Sequence, residues 1–262
     1  MYNKLRKDKD KIFIPFFMIG DPDYNTSLDL ILSACEAGVD AIELGIPYSD
    51  PVADGPVIQK ANIRGINAGI NLEKVFTFIS DIRAKAPNIP IGLLTYYNII
   101  FSNKDKNIIE KLAKSGVNSI VVADLIPELA EDFTKSCKEN KIDNVFLISG
   151  NTKEDRFHYF NELGSGFVYL VSIYGVTGER QSVNDKLSET IQTLKNKINL
   201  PICVGFGISN TEHAKLIYKS GAWGVIVGSA IVRQIEENLD NTQKMKQNIL
   251  NFIESMLEAK NP

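Results

Sequence analysis

Several common signals are missing from this sequence, and each absence removes a class of function. Only three cysteines occur among 262 residues. Cys35, Cys137 and Cys203 are odd in number and far apart, which argues against a disulfide framework and fits a reducing compartment. Histidine is scarcer still. His158 and His213 are the only two, both in helix-like segments, and neither they nor the cysteines have metal-ligand spacing. No metal site and no cysteine–histidine nucleophile pair is expected. No lysine falls in the strand-like segments that would line a pocket, which argues against a Schiff base as well. No stretch approaches the roughly 20 apolar residues of a membrane span, and the chain opens on charges instead of an apolar signal core. An excess of one charge is also lacking. Lys+Arg at 29 against Asp+Glu at 32 leaves a net charge of −3, which offers no general attraction to nucleic acid or an acidic membrane. The reading is a cytoplasmic protein.

What is present is an ordinary globular mixture, 44% hydrophobic and 23% charged, in a chain long enough to bury about three quarters of its unfolded surface. Strand-like and helix-like segments alternate along it. Short apolar runs at 12–18, 41–46, 91–95, 119–123, 145–148, 166–171, 201–204 and 223–227 read as strands buried on both faces by crossover helices. Helical spacing fills most of the intervals, as in Leu28, Ile31, Leu32 and Cys35, a stripe ending at Gly38. Eight such units with no linker, low-complexity tract or exact repeat predict a single α/β domain over 1–262, a closed (β/α)8 TIM barrel. An open doubly wound sheet is the alternative, but its glycine fingerprint is absent. The first turn reads Gly20-Asp21-Pro22-Asp23, with Asp21 a turn former.

The loops after the last strands have the chemistry of an anion site. Gly205-Phe206-Gly207-Ile208-Ser209 and Gly228-Ser229-Ala230 follow strands seven and eight, where barrels often hold phosphate against a helix N-terminus. Gly175-Val176-Thr177-Gly178 follows strand six. Tight turns alone would also explain these glycines. Arg180 and Arg233 are nearby candidates to pair with a phosphate, although either suits a surface.

Glu43 is the sharpest single residue. In Ala41-Ile42-Glu43-Leu44-Gly45, strand alternation turns it to the same side as Ala41, into the barrel. A carboxylate there needs a partner or a function, and burial would raise its pKa into the range useful for proton transfer. A structural salt bridge is the plainer reading. Asp54, eleven residues on, lies in the long loop Pro51-Val52-Ala53-Asp54-Gly55-Pro56, which can fold back across the mouth. Taken alone it reads as a turn residue or helix cap. Asp124 closes strand four as a third acidic candidate.

The run from Glu43 to Gln59, Glu-Leu-Gly-Ile-Pro-Tyr-Ser-Asp-Pro-Val-Ala-Asp-Gly-Pro-Val-Ile-Gln, closely resembles the signature of the tryptophan synthase alpha family. Gly20-Asp21-Pro22, Tyr97-Asn98, Ala123-Asp124 and the three glycine loops resemble it too, in family order over nearly the whole chain. The resemblance implies retro-aldol cleavage of indole-3-glycerol phosphate to indole and glyceraldehyde 3-phosphate, a carbon–carbon lyase reaction. Glu43 would be its acid/base, and Asp54 the carboxylate that accepts the indole N–H. Phe16, Ile58, Leu94 and Phe206 would wall the ring, with Tyr96 and Tyr169 as supports. Gly178, Gly207, Gly228 and Ser229 would hold phosphate. Thr177 would lie in a closing lid and orient Asp54.

The resemblance further implies a beta subunit that receives the indole, in an α2β2 assembly touching Pro47, Asp50 and Asn98. Pyridoxal phosphate would belong to that partner, with no cofactor in this chain. A non-enzyme docking role and a barrel enzyme for another sugar phosphate are the competing readings. Some family prolines are absent. Ile99 follows Asn98, Ile126 stands two residues after Asp124, Ser149-Gly150-Asn151 replaces a proline turn, and Gly65 replaces a common alanine. The changes at the mouth loosen loops that would meet the partner, while Glu43 and Asp54 remain.

Overall fold

The computed structural model describes residues 1–101, 107–171, 180–205 and 207–260. Eight parallel strands close into a barrel in chain order. They are β1 (Ile12–Met18), β2 (Ile42–Gly45), β3 (Ile91–Thr95), β4 (Ser119–Val122), β5 (Asp143–Ser149), β6 (Val168–Val171), β7 (Ile202–Gly205) and β8 (Gly224–Val227). The helices are α1 (Tyr2–Asp8), α2 (Tyr24–Glu36), α3 (Pro56–Asn67), α4 (Leu72–Lys85), α5 (Tyr97–Phe101), α6 (Ile108–Ser115), α7 (Glu131–Glu139), α8 (Phe157–Leu163), α9 (Arg180–Lys197), α10 (Thr211–Lys219), α11 (Ser229–Glu236) and α12 (Thr242–Glu258). The expected (β/α)8 architecture is present. β1 pairs with β8 through Ile12↔Gly224 to Pro15↔Val227, which closes the ring.

Helix starts follow from side chains that accept the first free N–H groups. Asp23 accepts from Thr26, Asn71 from Lys74, Asn210 from His213 and Asn241 from Lys244. Pro56 opens α3, where its missing N–H costs nothing. Alternation along each strand divides the apolar residues into two layers. Phe13, Phe17, Ile42, Leu44, Val204 and Val225 face the helices in the main core. Ile12, Ile14, Ala41, Val121, Val145, Tyr169, Cys203 and Ile226 pack inside the barrel.

Two helices fall outside the sequence expectation because both are too short to show a periodic stripe. α1 buries Tyr2 (1% exposed) in the interior cluster against Phe167, ring centroids 5.2 Å apart. α5 forms where Asp124 accepts the Tyr97 N–H at 2.6 Å. Asp124 is thus bound to α5. It does not line the cavity described below. Ile99 N–H donates to the Tyr96 carbonyl at 3.1 Å, a bond that proline there would not make. Between β5 and β6 the chain forms a 3-10 turn (Glu154–Arg156) followed directly by α8.

Asp40, 5% exposed, accepts the Phe13 N–H at 2.7 Å and the Lys260 ammonium at 2.6 Å, with Lys9 3.4 Å away, so one carboxylate ties both ends of the chain to the barrel. Asp21 is more than a turn former. Buried at 1% exposure, it takes two bonds from Arg64 of α3, at 2.5 and 2.9 Å, which fix the β1–α2 loop to the helix beneath the mouth. Arg64→Ala would leave that carboxylate buried and unpaired, at a cost of about 3–5 kcal/mol. Urea denaturation should show this loss, and Asp21→Ser added to Arg64→Ala should recover much of it.

Candidate active site

The C-terminal ends of the strands surround a cavity of about 470 Å³. One end is walled by Phe16, Ile58, Leu94, Tyr169 and Ile226 and carries Glu43 and Asp54. The other holds Gly207, Ser209, Gly228, Ser229, Ala230, Arg233 and Gln234. The site thus has an apolar half with two carboxyl groups and a polar half made mainly of backbone and hydroxyls.

Glu43 points inward from the middle of β2, as its alternation requires, and is 3% exposed. Its cross-strand neighbours are Phe16 on β1 and Gly92 on β3. Burial pushes its carboxyl up to about 8, and the Tyr169 hydroxyl, which donates to it, pulls it back only in part. Its Oε2 has no hydrogen-bond partner among the described residues. Among the described residues no salt bridge reaches this carboxyl. Tyr169 reaches it because β7 carries no side chain at Gly205. A Cβ there would lie 2.2 Å from the tyrosine ring.

Asp54 is half-buried on the loop between β2 and α3. Burial raises its pKa, while hydrogen bonds from Asn62 and Tyr96 oppose the rise. Asn62 Nδ2 donates to Asp54 Oδ2 at 2.9 Å, and the Ala53 N–H donates to the Tyr96 hydroxyl at 3.2 Å. Tyr96 does not line the cavity. It stands behind the loop, stacked on Tyr48 with centroids 5.0 Å apart, and supports the carboxylate.

At the polar end, Gly207 takes φ +74°, a backbone shape that L side chains rarely adopt. Gly228 caps α11 and sits close under Phe16, so the first N–H groups of that helix open onto the cavity wall formed by Ser229 and Ala230. Arg233, one turn further along, lines the same end.

The structure therefore brings Phe16, Glu43, Asp54, Ile58, Leu94, Tyr169, Gly207, Gly228 and Ser229 to one cavity. Phe206, Thr177 and Gly178, with the loop after β6, lie outside the described residues. Pro47 is half-buried, while Asp50 and Asn98 are exposed at the mouth, away from the cavity. Sequence reasoning missed Asn62, Ile226, Gln234 and Phe252. Phe252 comes from α12, and only its apolar helical position hinted at it. His158 and His213 are exposed on α8 and α10. Among the described residues no group of three or more His, Cys, Asp or Glu could hold a metal ion. No described helix is long and apolar enough to cross a membrane.

Fold and site define a (β/α)8 barrel whose cavity, at the C-terminal ends of the strands, combines apolar walls, two carboxyl groups and a polar end of backbone and hydroxyls. Comparison with known proteins narrows this. Residues 2–261 match the family model described as tryptophan synthase alpha chain. The tryptophan synthase alpha chain of Methanothermobacter thermautotrophicus is 44% identical over 237 residues, 90% of this chain and 87% of that one. The crystal structure of the subunit from Legionella pneumophila superposes with a TM-score of 0.91 at 28% identity, covering 99% and 96% of the two chains. The chain in the tryptophan synthase complex from Pyrococcus furiosus is 36% identical with a TM-score of 0.84, covering 95% and 99%. This chain belongs to the tryptophan synthase alpha chain family, and it is a carbon–carbon lyase.

Glu43 gives stability a definite pH dependence. Its carboxyl titrates near 8 when folded against an ordinary 4.5, so between those values the native state keeps a proton that the unfolded chain has lost. Its favourable contribution is complete below about 4.5 and disappears as pH rises to about 8. Glu43→Gln, which cannot ionise, should match the parent at pH 4.5 and exceed it progressively up to pH 8. Melting temperature should rise by about 2–4 °C per kcal/mol regained.

Proposed function

We propose that Glu43 and Asp54 carry the retro-aldol step on one bound indole. The reaction is cleavage of indole-3-glycerol phosphate to indole and glyceraldehyde 3-phosphate, with the indole passing to a beta subunit. The observation that carries the assignment is the buried Glu43 carboxyl, protonated near neutral pH, with Oε2 facing no partner among the described residues.

Protonated Glu43 gives its proton to C3 of the indole, which makes that carbon a leaving group. The resulting carboxylate takes the proton of the adjacent side-chain hydroxyl as the carbonyl forms. The electrons of the broken carbon–carbon bond return to the ring, and Glu43 ends protonated as it began. Asp54 accepts the ring N–H and stabilises the positive charge that develops on the protonated indole, an interaction stronger in the transition state than in the ground state. Phe16, Ile58 and Leu94 hold the flat ring, and Tyr169 keeps Glu43 in place. The phosphate lies at the other end against Gly207, Gly228, Ser229 and the N-terminus of α11, where Arg233 adds the opposite charge. Gly178, Phe206 and Thr177 keep the roles that the family resemblance implies.

The P. furiosus protein forms an α2β2 complex with mutual activation. We assign this chain the same assembly in the cytoplasm, docked through the mouth around Pro47, Asp50 and Asn98. Pyridoxal phosphate belongs to the beta subunit, and no step above uses a cofactor. Loss of loop prolines at this face is partly offset by the bond from Tyr97 to Asp124 and the Tyr97–Phe101 stack, centroids 3.9 Å apart.

Indole release assayed with the beta subunit present should fall about 10²–10⁴-fold in kcat for Glu43→Gln and about 10²–10³-fold for Asp54→Asn. Turnover should decline above about pH 8, as Glu43 loses its starting proton. Full activity of Glu43→Gln would remove it from the proton transfers. Arg233→Gln should raise KM about ten-fold with kcat preserved, as expected for a group that binds ground and transition states alike.

A further inference from the structure

We infer that Asn62 is a positioning residue for catalysis, clipping the two limbs of the active-site loop together and holding the Asp54 carboxylate in its working orientation and charge state. The inference rests on the role of Asp54 proposed above. Asn62 lies on α3 and is 1% exposed. Its Oδ1 accepts the Tyr48 N–H at 2.8 Å, on the limb leaving β2. Its Nδ2 donates to Asp54 Oδ2 at 2.9 Å, on the limb entering α3, and to the Ile58 carbonyl at 3.0 Å. The surroundings demand one acceptor and two donors, so an amide is the side chain that satisfies them at this length. Turned the other way, its oxygen would face a carboxylate and a carbonyl, and its NH2 would face an N–H.

The bond also acts on charge. Burial opposes ionisation of Asp54, and the Asn62 amide is the first of the groups that counter it, followed by Tyr96. Among the described residues, the other titratable groups lining the cavity with Asp54 are Glu43 on β2 and Tyr169 on β6, with Arg233 of α11 at the far end. Without Asn62 the loop has more conformations, and Asp54 keeps its proton to higher pH.

The test is steady-state cleavage of indole-3-glycerol phosphate over a pH series, with the full chain and its beta subunit. Asn62→Ala should lower kcat about 10²-fold, the scale of a small misplacement, with KM changed by less than about three-fold. The acid limb of the profile should move upward, toward neutral pH. Asn62→Asp keeps the Tyr48 bond, so it reads the same shift if the alanine variant does not fold. It should move the limb further, because two carboxyl oxygens would then meet at the 2.9 Å now spanned by the amide. Inorganic phosphate binding and a cooperative urea transition check that each variant is folded.

An unchanged kcat, or a lost kcat with an unmoved acid limb, would overturn the inference. Full turnover by Asp54→Asn would overturn the role of Asp54 itself. An inactive Asp54→Asn beside a normal Asn62→Ala would remove only Asn62.

Discussion

The chemistry proposed for this barrel depends on one carboxyl group kept out of water. Glu43 sits where a strand would otherwise present an apolar residue, and the protein gives it a hydroxyl from Tyr169 instead of a cation. A lysine or arginine beside it would have stabilised the fold and left a carboxylate unable to deliver a proton. The neighbours follow from this. Gly205 leaves room for the Tyr169 ring, and Phe16 on β1 is the cross-strand neighbour of Glu43. The weak solvation that makes Glu43 costly to ionise is the same property that suits it to acid–base work.

Asp54 is supported differently. It rides on a loop, half in solvent, and donors from Asn62 and Tyr96 hold it toward the ionised state. Burial raises the proton affinity of both acidic groups, Glu43 to about 8, with one opposing hydroxyl at Glu43 and two opposing donors at Asp54. In the mechanism proposed above, one of these groups protonates the ring on carbon while the other holds its nitrogen.

Most of the architecture was legible because it rests on local pattern. Short apolar runs separated by helical stripes lead to eight parallel strands, and alternation alone turned Glu43 inward. The specific motif around Glu43 and Asp54 made the reaction legible as well. What stayed hidden depends on contacts distant in sequence. Nothing near Asp21 announces Arg64, and nothing near Asp124 announces the Tyr97 N–H it binds. Asn62 sits in a helix and resembles any other polar residue there until the loop folds back on it. Tyr96 was expected beside the ring but stands behind the loop, because a side chain at the end of β3 can meet either the cavity or the neighbouring loop, and alternation does not choose between them.

The pairing of β1 with β8 has a temporal side. During synthesis the first strand emerges long before its second neighbour, which waits on more than two hundred further residues. Until then one edge of the growing sheet keeps its amides and carbonyls open to any extended segment. The carboxylate of Asp40 must wait longer still for Lys260. A ribosome that stalls late would therefore release a nearly complete but unsealed sheet, the form of this chain most exposed to misassembly and to chaperone capture.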